Sequence, residues 1–515
     1  MNKLKTILIM TFIALLLTSC SVLDSKPAVV DGPTKGTETS TEKSSETSTE
    51  KSSETSTETS TETSTETSTT VEEPSTTPSD SSSESDEPKV DHPPFTYPDA
   101  VRGVYVTSHT TSISRFDDLI NLLDQTELNA MVIDIKDDHG YISFEPEDPK
   151  LLEYSKKNIK DPKELIKKLS EHKIYPIARI VVFKDSVLAN KHPELSFTNN
   201  GAVWKNGRGE AFVNPFLSEV WEHNVEIAKL AAELGFQEIQ FDYVRFPEGF
   251  ETRDKSLKYD MGEYKDHTPS KFAELEKDYQ DKLKKYETTK AELTKTIATV
   301  SGQFDTALKK YGSMEQLSTY EETLKNAEAQ LIEVEKTKPI APIFQDKDRQ
   351  TQLRVDAVTD FVAYAKKELE PYNVDVSVDI FGYSATLPEA PGIGQNFSKI
   401  SSNVDVISSM IYPSHWGNGY FNISVPDIYP YELVDAYSKV ENEVLNKLGD
   451  KKPISRPWIQ DFTAPWLGKG NYKVYGKADV EAQIKALNEN GIKEFLLWNA
   501  GNKYTPNVDY TPLEK

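Results

Sequence analysis

Two aspartates lie near the ends of segments whose alternating pattern is typical of buried β-strands. In segment 238–243, apolar residues take every second position, so Asp242 falls on the opposite, polar face. The valines of segment 374–380 likewise place Asp379 on the face away from them. Burying an unpaired carboxylate is costly, so both acids need partners or a chemical task. Carboxyl groups about 5–5.5 Å apart serve a retaining glycosidase as nucleophile and acid/base, and a wider pair serves an inverting one.

A third segment, 131–136, adds charged side chains to the same predicted interior. Its alternation directs Asp134 and Lys136 inward. One interpretation is a structural ion network of Asp134 with Lys136 and Arg245. The other is that these groups tune the pKa values of the two carboxyl groups or bind sugar hydroxyls. Arg179, in a further strand-like segment, is another candidate for substrate binding.

Aromatic and polar side chains lie at or just beyond the ends of several strand-like segments. Flat rings there could stack on sugar rings, and amide or imidazole groups could bond to hydroxyls, although each residue alone is more often packing. The stacking candidates are Tyr105, Tyr412, Trp416, Trp458 and Trp498, and the hydrogen-bonding candidates are Gln460, Asn499, His109 and His415. Their convergence on one face predicts a carbohydrate cleft.

The elements that must position these residues alternate between strands and helices from residue 100 onward. We predict strands at 102–108, 130–137, 174–183, 238–246, 374–381, 405–412, 456–462 and 494–499, with helices at 114–125, 162–171, 218–234, 351–369 and 478–490. This order predicts an α/β fold, and eight such units predict a (β/α)8 TIM barrel. A doubly wound open sheet is the competing fold, but it usually has a glycine-rich phosphate turn after its first strand, and residues 107–110 contain no glycine.

A large insertion follows the fourth predicted strand. Residues 265–338 are rich in Glu, Lys, Leu and Ala, with apolar residues at three- and four-residue spacing and a break near 311–313. This pattern predicts two long helices folded back on each other. Because loops after strands emerge on the carboxyl-terminal face of a barrel, the hairpin is a candidate lid or protein-binding arm. A neutral spacer is the alternative.

The first residues predict export. Lys3 and Lys5 precede an apolar run at 7–17, which is the order of a secretory signal peptide over residues 1–19. The Cys20 that follows resembles the lipidation site of bacterial lipoproteins. This resemblance implies a lipid on Cys20 and anchoring to the outer face of the cell membrane. A plain signal peptide with an incidental cysteine is the alternative.

The composition changes between the signal peptide and the predicted barrel. Residues 37–91 repeat Ser, Thr and Glu with almost no apolar side chains, which predicts a disordered tether over residues 20–95 before a barrel domain at 96–515. The tether carries much of the formal net charge of −24, and this acidity argues against a nucleic-acid partner.

Several kinds of chemistry lack their motifs. The single cysteine allows no disulfide within the chain, and the eight histidines form neither a His-x-His nor a His-Glu-x-x-His pattern. No Gly-x-Ser-x-Gly or Walker-type loop occurs. We therefore expect neither a metal site nor an organic cofactor.

A series of ordered motifs resembles a bacterial family of glycoside hydrolases over about residues 100–504. The motifs are VIDIKD at 132–137, ARIVVFKD at 178–185, EIQFDYVRFP at 238–247, SVDIFG at 377–382, MIYPSH at 410–415, RPWIQDF at 456–462 and LWNA at 497–500. The family is placed among TIM-barrel glycosidases, distantly similar to α-amylase barrels. That similarity implies a nucleophile at the end of strand four, matching Asp242, and a general acid at the end of strand five, matching Asp379. The acid is typically glutamate there, and the helical hairpin departs from the usual family pattern.

Together these observations predict a hydrolase of a wall, capsular or environmental polysaccharide. In this hypothesis, Asp242 attacks the anomeric carbon or stabilises the oxocarbenium-like transition state, and Asp379 protonates the leaving oxygen. The rival hypothesis is a carbohydrate-binding scaffold that has lost turnover and is tethered at the surface. Loss of one strand-end acid would be its signature, and both acids are present.

Overall fold

The computed structural model describes residues 95–511 of the chain. The predicted signal peptide, the lipid site at Cys20 and the predicted tether up to residue 94 lie outside the described residues, as do the last four residues.

Eight parallel strands form a closed barrel, as predicted. They are β1 (Arg102–Val106), β2 (Ala130–Lys136), β3 (Tyr175–Val181), β4 (Glu238–Asp242), β5 (Asp375–Phe381), β6 (Val406–Met410), β7 (Trp458–Gln460) and β8 (Phe495–Trp498). Each strand pairs with the next, and β8 pairs with β1 through Arg102 and Phe495. The barrel therefore has no free edge.

Strand seven is divided by a proline. Ile454–Ser455 pairs with β6, the ladder then breaks at Arg456 and Pro457, and β7 resumes pairing at Trp458. Proline has no N–H to donate to a ladder, so the predicted strand 456–462 is shorter in the structure. The break nevertheless leaves Trp458 directed into the barrel.

In the part of the chain that the structure describes, twelve α-helices surround or extend the barrel. They are α1 (Arg115–Asp124), α2 (Pro149–Leu152), α3 (Pro162–Glu171), α4 (Ser186–Lys191), α5 (Ser218–Leu234), α6 (Phe250–Arg253), α7 (Ser270–Lys309), α8 (Met314–Lys336), α9 (Asp346–Leu369), α10 (Phe397–Ser401), α11 (Pro430–Asn446) and α12 (Lys477–Glu489). The five predicted helices are all present. The helix predicted at 351–369 begins earlier, at Asp346. Asp346 and Asp348 lie in its first turn, where their negative charge interacts favourably with the helix dipole.

Two apolar layers result from strand alternation. Outward residues such as Phe241 and Val378 pack with the helices, whereas a separate inner cluster contains Tyr105, Val132 and Trp458. Inner and outer faces thus differ in composition, as expected of a filled barrel.

A buried ion network closes the amino-terminal end of the barrel. Arg456 is fully buried and donates to Glu238 and Glu494, each at 2.7 Å. Tyr97, which precedes β1, donates to Glu494 at 3.0 Å and accepts from Arg456 at 2.8 Å. These contacts connect the segment before the first strand to the floor of the barrel.

The insertion after β4 is a helical hairpin, as predicted. The 40 residues of α7 would extend about 60 Å, and α8 runs back along it. At its base, Ser270 donates to Asp356 of α9 at 2.6 Å, and Phe272 stacks on Phe344 with ring centroids 4.0 Å apart. Within residues 95–511, no helix combines the length and apolar composition needed to cross a membrane.

Candidate active site

Asp242 and Asp379 lie on neighbouring strands inside the barrel. The β4–β5 register pairs Gln240 with Ser377 and Phe241 with Val378. The next step of this register brings Asp242 beside Asp379, on strands about 4.8 Å apart. Both side chains are buried. The alternation that predicted their inward direction is therefore confirmed.

One buried guanidinium binds Asp242 and connects it to two further acids. Arg179 of β3 donates to Oδ2 of Asp242 through Nε at 3.0 Å and Nη2 at 2.6 Å. It also donates to Asp134 at 2.6 Å and to Asp138 at 3.0 Å. Charge-assisted bonds of this kind stabilise the ionised carboxylate and fix its orientation. Asp242 is thus held in a buried ion pair with Arg179.

Asp379 lies in an environment that disfavours the charged form of its carboxyl group. Burial, reinforced by the charge of Asp242, raises the pKa of the Asp379 carboxyl well above its ordinary value of 3.8. The indole Nε1 of Trp458 donates a hydrogen bond to Oδ1 of Asp379 at 2.7 Å. Two neighbouring carboxyl groups in environments that differ in this way can take different roles in one site.

Asp134 forms a third acidic position, shielded from water. Burial raises the pKa of Asp134 to about 6 against the opposing effect of Arg179. The hydroxyl of Tyr105 donates to Oδ2 of Asp134 at 2.6 Å. Tyr105 in turn stacks on Trp498 with ring centroids 4.1 Å apart. This chain of contacts fixes the aromatic wall of the site relative to Arg179.

Backbone strain occurs directly after the strand-four acid. Tyr243 has a φ of 53°, a left-handed conformation that is uncommon for a bulky residue. Two cations contact its ring, with Nζ of Lys184 at 4.0 Å and the guanidinium carbon of Arg245 at 4.8 Å from the centroid. Strain of this kind persists only where the surroundings enforce it, and it is concentrated at functional sites.

Four of the five predicted stacking residues come together. Trp498 lies 6.3 Å from Tyr412 and 5.5 Å from Trp458, in addition to its stack on Tyr105. The exception is Trp416, which packs outside the barrel against Tyr437 of α11 at 5.7 Å. The chain leaves the barrel at the turn Pro413–His415, so the residue after the turn falls between strand and helix. The prediction that Trp416 faces the cleft is corrected accordingly.

Lys136 also departs from its predicted position. The β2–β3 ladder pairs Asp134 with Arg179 but then shifts, so that Lys136 is opposite Ile180. A bulge adds a residue and reverses the alternation beyond it. Lys136 therefore points outward, where it forms a fully buried ion pair with Asp185 at 2.6 Å. The alternative ion network of Asp134 with Lys136 and Arg245 is likewise replaced, because Arg179 is the partner of Asp134.

The remaining residues predicted to bind substrate differ in where the structure places them. Gln460 is fully buried. Its Nε2 donates to Asp427 and to the Phe462 carbonyl, and its Oε1 accepts from the Ser414 N–H. These bonds occupy its polar atoms within the protein and make it a support for the β6 and β7 loops. The amide of Asn499 similarly bonds backbone atoms of its own loop and of Asp461.

His415 and Arg245 lie at the edge of the site. His415 is exposed, with its ring 5.1 Å from that of Tyr412. Arg245 is buried, pairs with Glu248 at 3.2 Å and contacts the ring of Phe381 at 4.9 Å. His415 is therefore accessible to a bound chain, whereas Arg245 mainly supports the strained residue Tyr243.

Sequence reasoning missed Asp138 and Lys184. Asp138 accepts from Arg179, and Lys184 is buried with Nζ 3.5 Å from Asp138. Asp138 lies two residues after the end of β2 and Lys184 three residues after the end of β3, in segments whose earlier residues were already candidates. Charged residues immediately beyond parallel strands are the available signal, because the carboxyl ends of those strands meet at one face.

A comparison with known families matches residues 103–504, more than half of the chain, to the model of a family described as "Putative glycosyl hydrolase domain". None of the curated proteins matches significantly.

Among solved structures, one similar chain is a hypothetical protein from Ruminiclostridium thermocellum, at 36% identity and a TM-score of 0.29, covering 31% of this chain and 83% of that one. Another is the PgaB (BpsB) glycoside hydrolase domain from Bordetella bronchiseptica, at 12% identity and a TM-score of 0.45, covering 78% and 95%. An α-galactosidase from Thermus thermophilus has 8% identity and a TM-score of 0.39, with 80% and 60% covered. By its match to the family model, this chain belongs to that family of glycosyl hydrolase domains.

Proposed function

We propose that the protein hydrolyses glycosidic bonds of a cell-surface or environmental polysaccharide, with Asp242 and Asp379 as the catalytic pair. The observation that carries this proposal is the contrast between the two acids. Asp242 is ion-paired to Arg179, and burial favours the protonated form of Asp379. A charged nucleophile beside a proton donor is what a glycosidase requires.

The chemistry follows from these two states. Asp379 donates its proton to the glycosidic oxygen as the bond to the anomeric carbon breaks, and Asp242 bonds to that carbon. Asp379, now ionised, takes a proton from water as the water oxygen displaces Asp242. Adjacency on neighbouring strands favours this retaining route over an inverting one, which needs room for water between the acids. The configuration of the first product, measured by NMR, tests the choice, and an inverted product would overturn it.

The site walls suit a sugar ring. Tyr105, Tyr412 and Trp498 offer aromatic surface, and Asp134 and Arg179 offer groups that bond hydroxyls. Trp458 is almost fully buried and acts through Asp379, as a positioning residue. No step requires a cofactor.

The test is release of reducing ends from cell-surface polysaccharide fractions by the purified protein and three variants. Asp379→Asn is expected to lower the rate by about 10²–10⁴-fold, the usual contribution of general acid catalysis. Asp242→Asn removes the nucleophile and is expected to lower the rate at least as much. The matched control is Asp375→Asn, at the other end of β5, which should keep most activity. Equal activity in all four proteins would refute the site.

The alternative function is a binding scaffold without turnover. It predicts no product from any fraction, together with retained polysaccharide binding by the unmodified protein. Intact binding by Asp242→Asn with loss of product favours the enzyme.

We also propose that the protein is anchored outside the cell through a lipid on Cys20. The support is the order of charged, apolar and small residues before that cysteine. Cys20→Ser should shift the protein from the membrane fraction to the medium, measured by immunoblot. Unchanged membrane association in that variant would contradict the anchor.

The helical hairpin is proposed as the arm that contacts a protein partner. Its turn exposes three large apolar side chains, those of Leu308, Tyr311 and Met314. Exposed apolar groups at the end of a long arm favour a contact there. Its test is included with the hairpin deletion described in the Discussion.

A further inference from the structure

An exposed aromatic side chain lies outside the site described so far. Trp466 follows β7 and is 59% exposed, whereas the five other tryptophans of the chain are buried or half-buried. Phe462, which follows the end of β7, is half-buried beside it, with ring centroids 5.9 Å apart and planes only 22° from parallel. The two rings therefore face in nearly the same direction.

The loop that carries these rings is fixed by the rest of the barrel. Asp461 accepts a bond from the Thr505 N–H at 2.9 Å, and the Tyr475 N–H donates to Thr463 at 3.1 Å. Ala464, which lies between Phe462 and Trp466 in the sequence, is completely buried. Trp466 is thus presented by an ordered loop, so that binding there loses little conformational entropy.

The exposed pair continues the aromatic surface of the catalytic site. Tyr412, whose ring belongs to the inner cluster, lies 5.9 Å from Phe462 and 6.3 Å from Trp498. Trp498 in turn lies 5.7 Å from the guanidinium of Arg179, which binds Asp242. A row of rings at similar spacing therefore runs from the carboxylates to the surface.

We propose that Phe462 and Trp466 form an outer saccharide-binding subsite, so that the enzyme binds a polysaccharide chain over several consecutive sugar rings. This inference rests on the proposed function and specifies its substrate class as polymers rather than disaccharides. The apolar face of a sugar ring matches a flat aromatic surface of this size. A protein partner would need a much larger apolar area than one indole, and the next residues, Gly468 to Asn471, are polar or lack side chains.

The experiment compares binding in the presence and absence of the exposed ring. Trp466→Ala is made in the full-length protein carrying Asp242→Asn, so that turnover does not consume the probe. The probes are soluble xylan, galactomannan, chitosan and a bacterial wall-polysaccharide extract, with affinity measured by the retardation of the protein in gels that contain each polymer. Tyr311→Ala, on the hairpin and 97% exposed, is the matched control for loss of an exposed aromatic ring.

We expect at least one probe to retard the parent, and Trp466→Ala to weaken that binding about tenfold, as for removal of one stacked ring. Phe462→Leu should weaken it in the same direction, and Tyr311→Ala should not. In the active protein, Trp466→Ala should raise KM more for the polymer than for its short fragments.

Each outcome separates the two proposals. Polymer hydrolysis that is independent of Trp466 overturns the subsite and leaves the hydrolase intact. Binding that depends on Trp466 without any hydrolysis supports the subsite and refutes the hydrolase. Failure of the parent to bind any of the four probes counts against the subsite.

Discussion

A single aromatic donor adjusts the acid of the candidate site. The indole of Trp458 bonds Oδ1 of Asp379 from a strand two places away in the barrel, and this bond favours the ionised carboxylate. Burial and Asp242 act in the other direction and dominate. The proton affinity of the acid is therefore a balance that one substitution can shift.

Trp458→Phe is expected to move the alkaline limb of the kcat/KM profile to higher pH. Removal of the indole N–H removes a bond that lowers the pKa of Asp379, so the acid stays protonated over a wider range. The measurement is the pH dependence of kcat/KM on the best polysaccharide fraction. Trp498→Phe, which leaves the bond to Asp379 in place, is the control. An alkaline limb at the same pH in both variants would show that Asp379 is not the titrating acid.

The site residues differ in how far the sequence could predict them. Asp242 and Asp379 follow from alternation, because a strand buried on both faces places polar residues inside only where they have partners. Arg179 as the partner of Asp242 does not follow, since the strand pattern predicts the direction of a side chain but not its distance from another. Lys136 was misplaced because nothing local in the sequence marks the bulge that reverses β2.

Among the elements, β2 and the loop after β3 are joined by one buried ion pair. Lys136 and Asp185 are both without solvent exposure, and Lys136 also bonds Asn224 of α5 at 2.9 Å. Asp185 additionally accepts from the Leu188 N–H at the start of α4. The pair thus connects a strand end to two helices of the outer layer.

Lys136→Met is expected to destabilise the fold by about 3–5 kcal/mol, because it leaves the Asp185 carboxylate buried without its cation. Denaturant unfolding measures the change. The double variant Lys136→Met with Asp185→Asn should recover much of the loss, since the amide keeps the bond to Leu188 without a charge. Lys163→Met, on an exposed position of α3, is the control. If Lys136→Met alone were as stable as Lys163→Met, the assignment of a buried ion pair would be contradicted.

The elements themselves were mostly predictable. All eight strands and the hairpin appear in the expected order, because their periodicity reports which face meets the core. The bounds of strand seven were less predictable, since the effect of Pro457 on pairing depends on which neighbouring strand its missing N–H would face. The position of Trp416 depends on a turn after β6 that changes direction within three residues.

Considered as a whole molecule, the barrel and the hairpin are stabilised largely separately. Buried apolar residues on α7 and α8 are few, namely Phe272, Tyr286, Ala307 and Ala327. The helices of the hairpin contact each other far more than they contact the barrel.

Replacing residues 274–341 by a short Gly-Ser linker is therefore expected to leave the barrel folded, with Tm within about 4 °C of the parent. The base contacts at Ser270 and Phe344 remain in this variant. Calorimetry tests the stability, and cross-linking on cells tests the proposed partner contact, which the deletion should abolish. A partner captured equally by both proteins would contradict the role of the hairpin. Loss of the cooperative unfolding transition of the barrel in the deletion variant would contradict the independent stability of barrel and hairpin.

The attachment of Tyr97 to the floor of the barrel has a consequence for orientation. The chain enters β1 at the face where Arg456 and Glu494 lie, while Asp242 and Asp379 lie toward the opposite rim. A surface anchor attached at that end, as proposed for Cys20, would leave the rim that carries the two acids clear of its point of attachment.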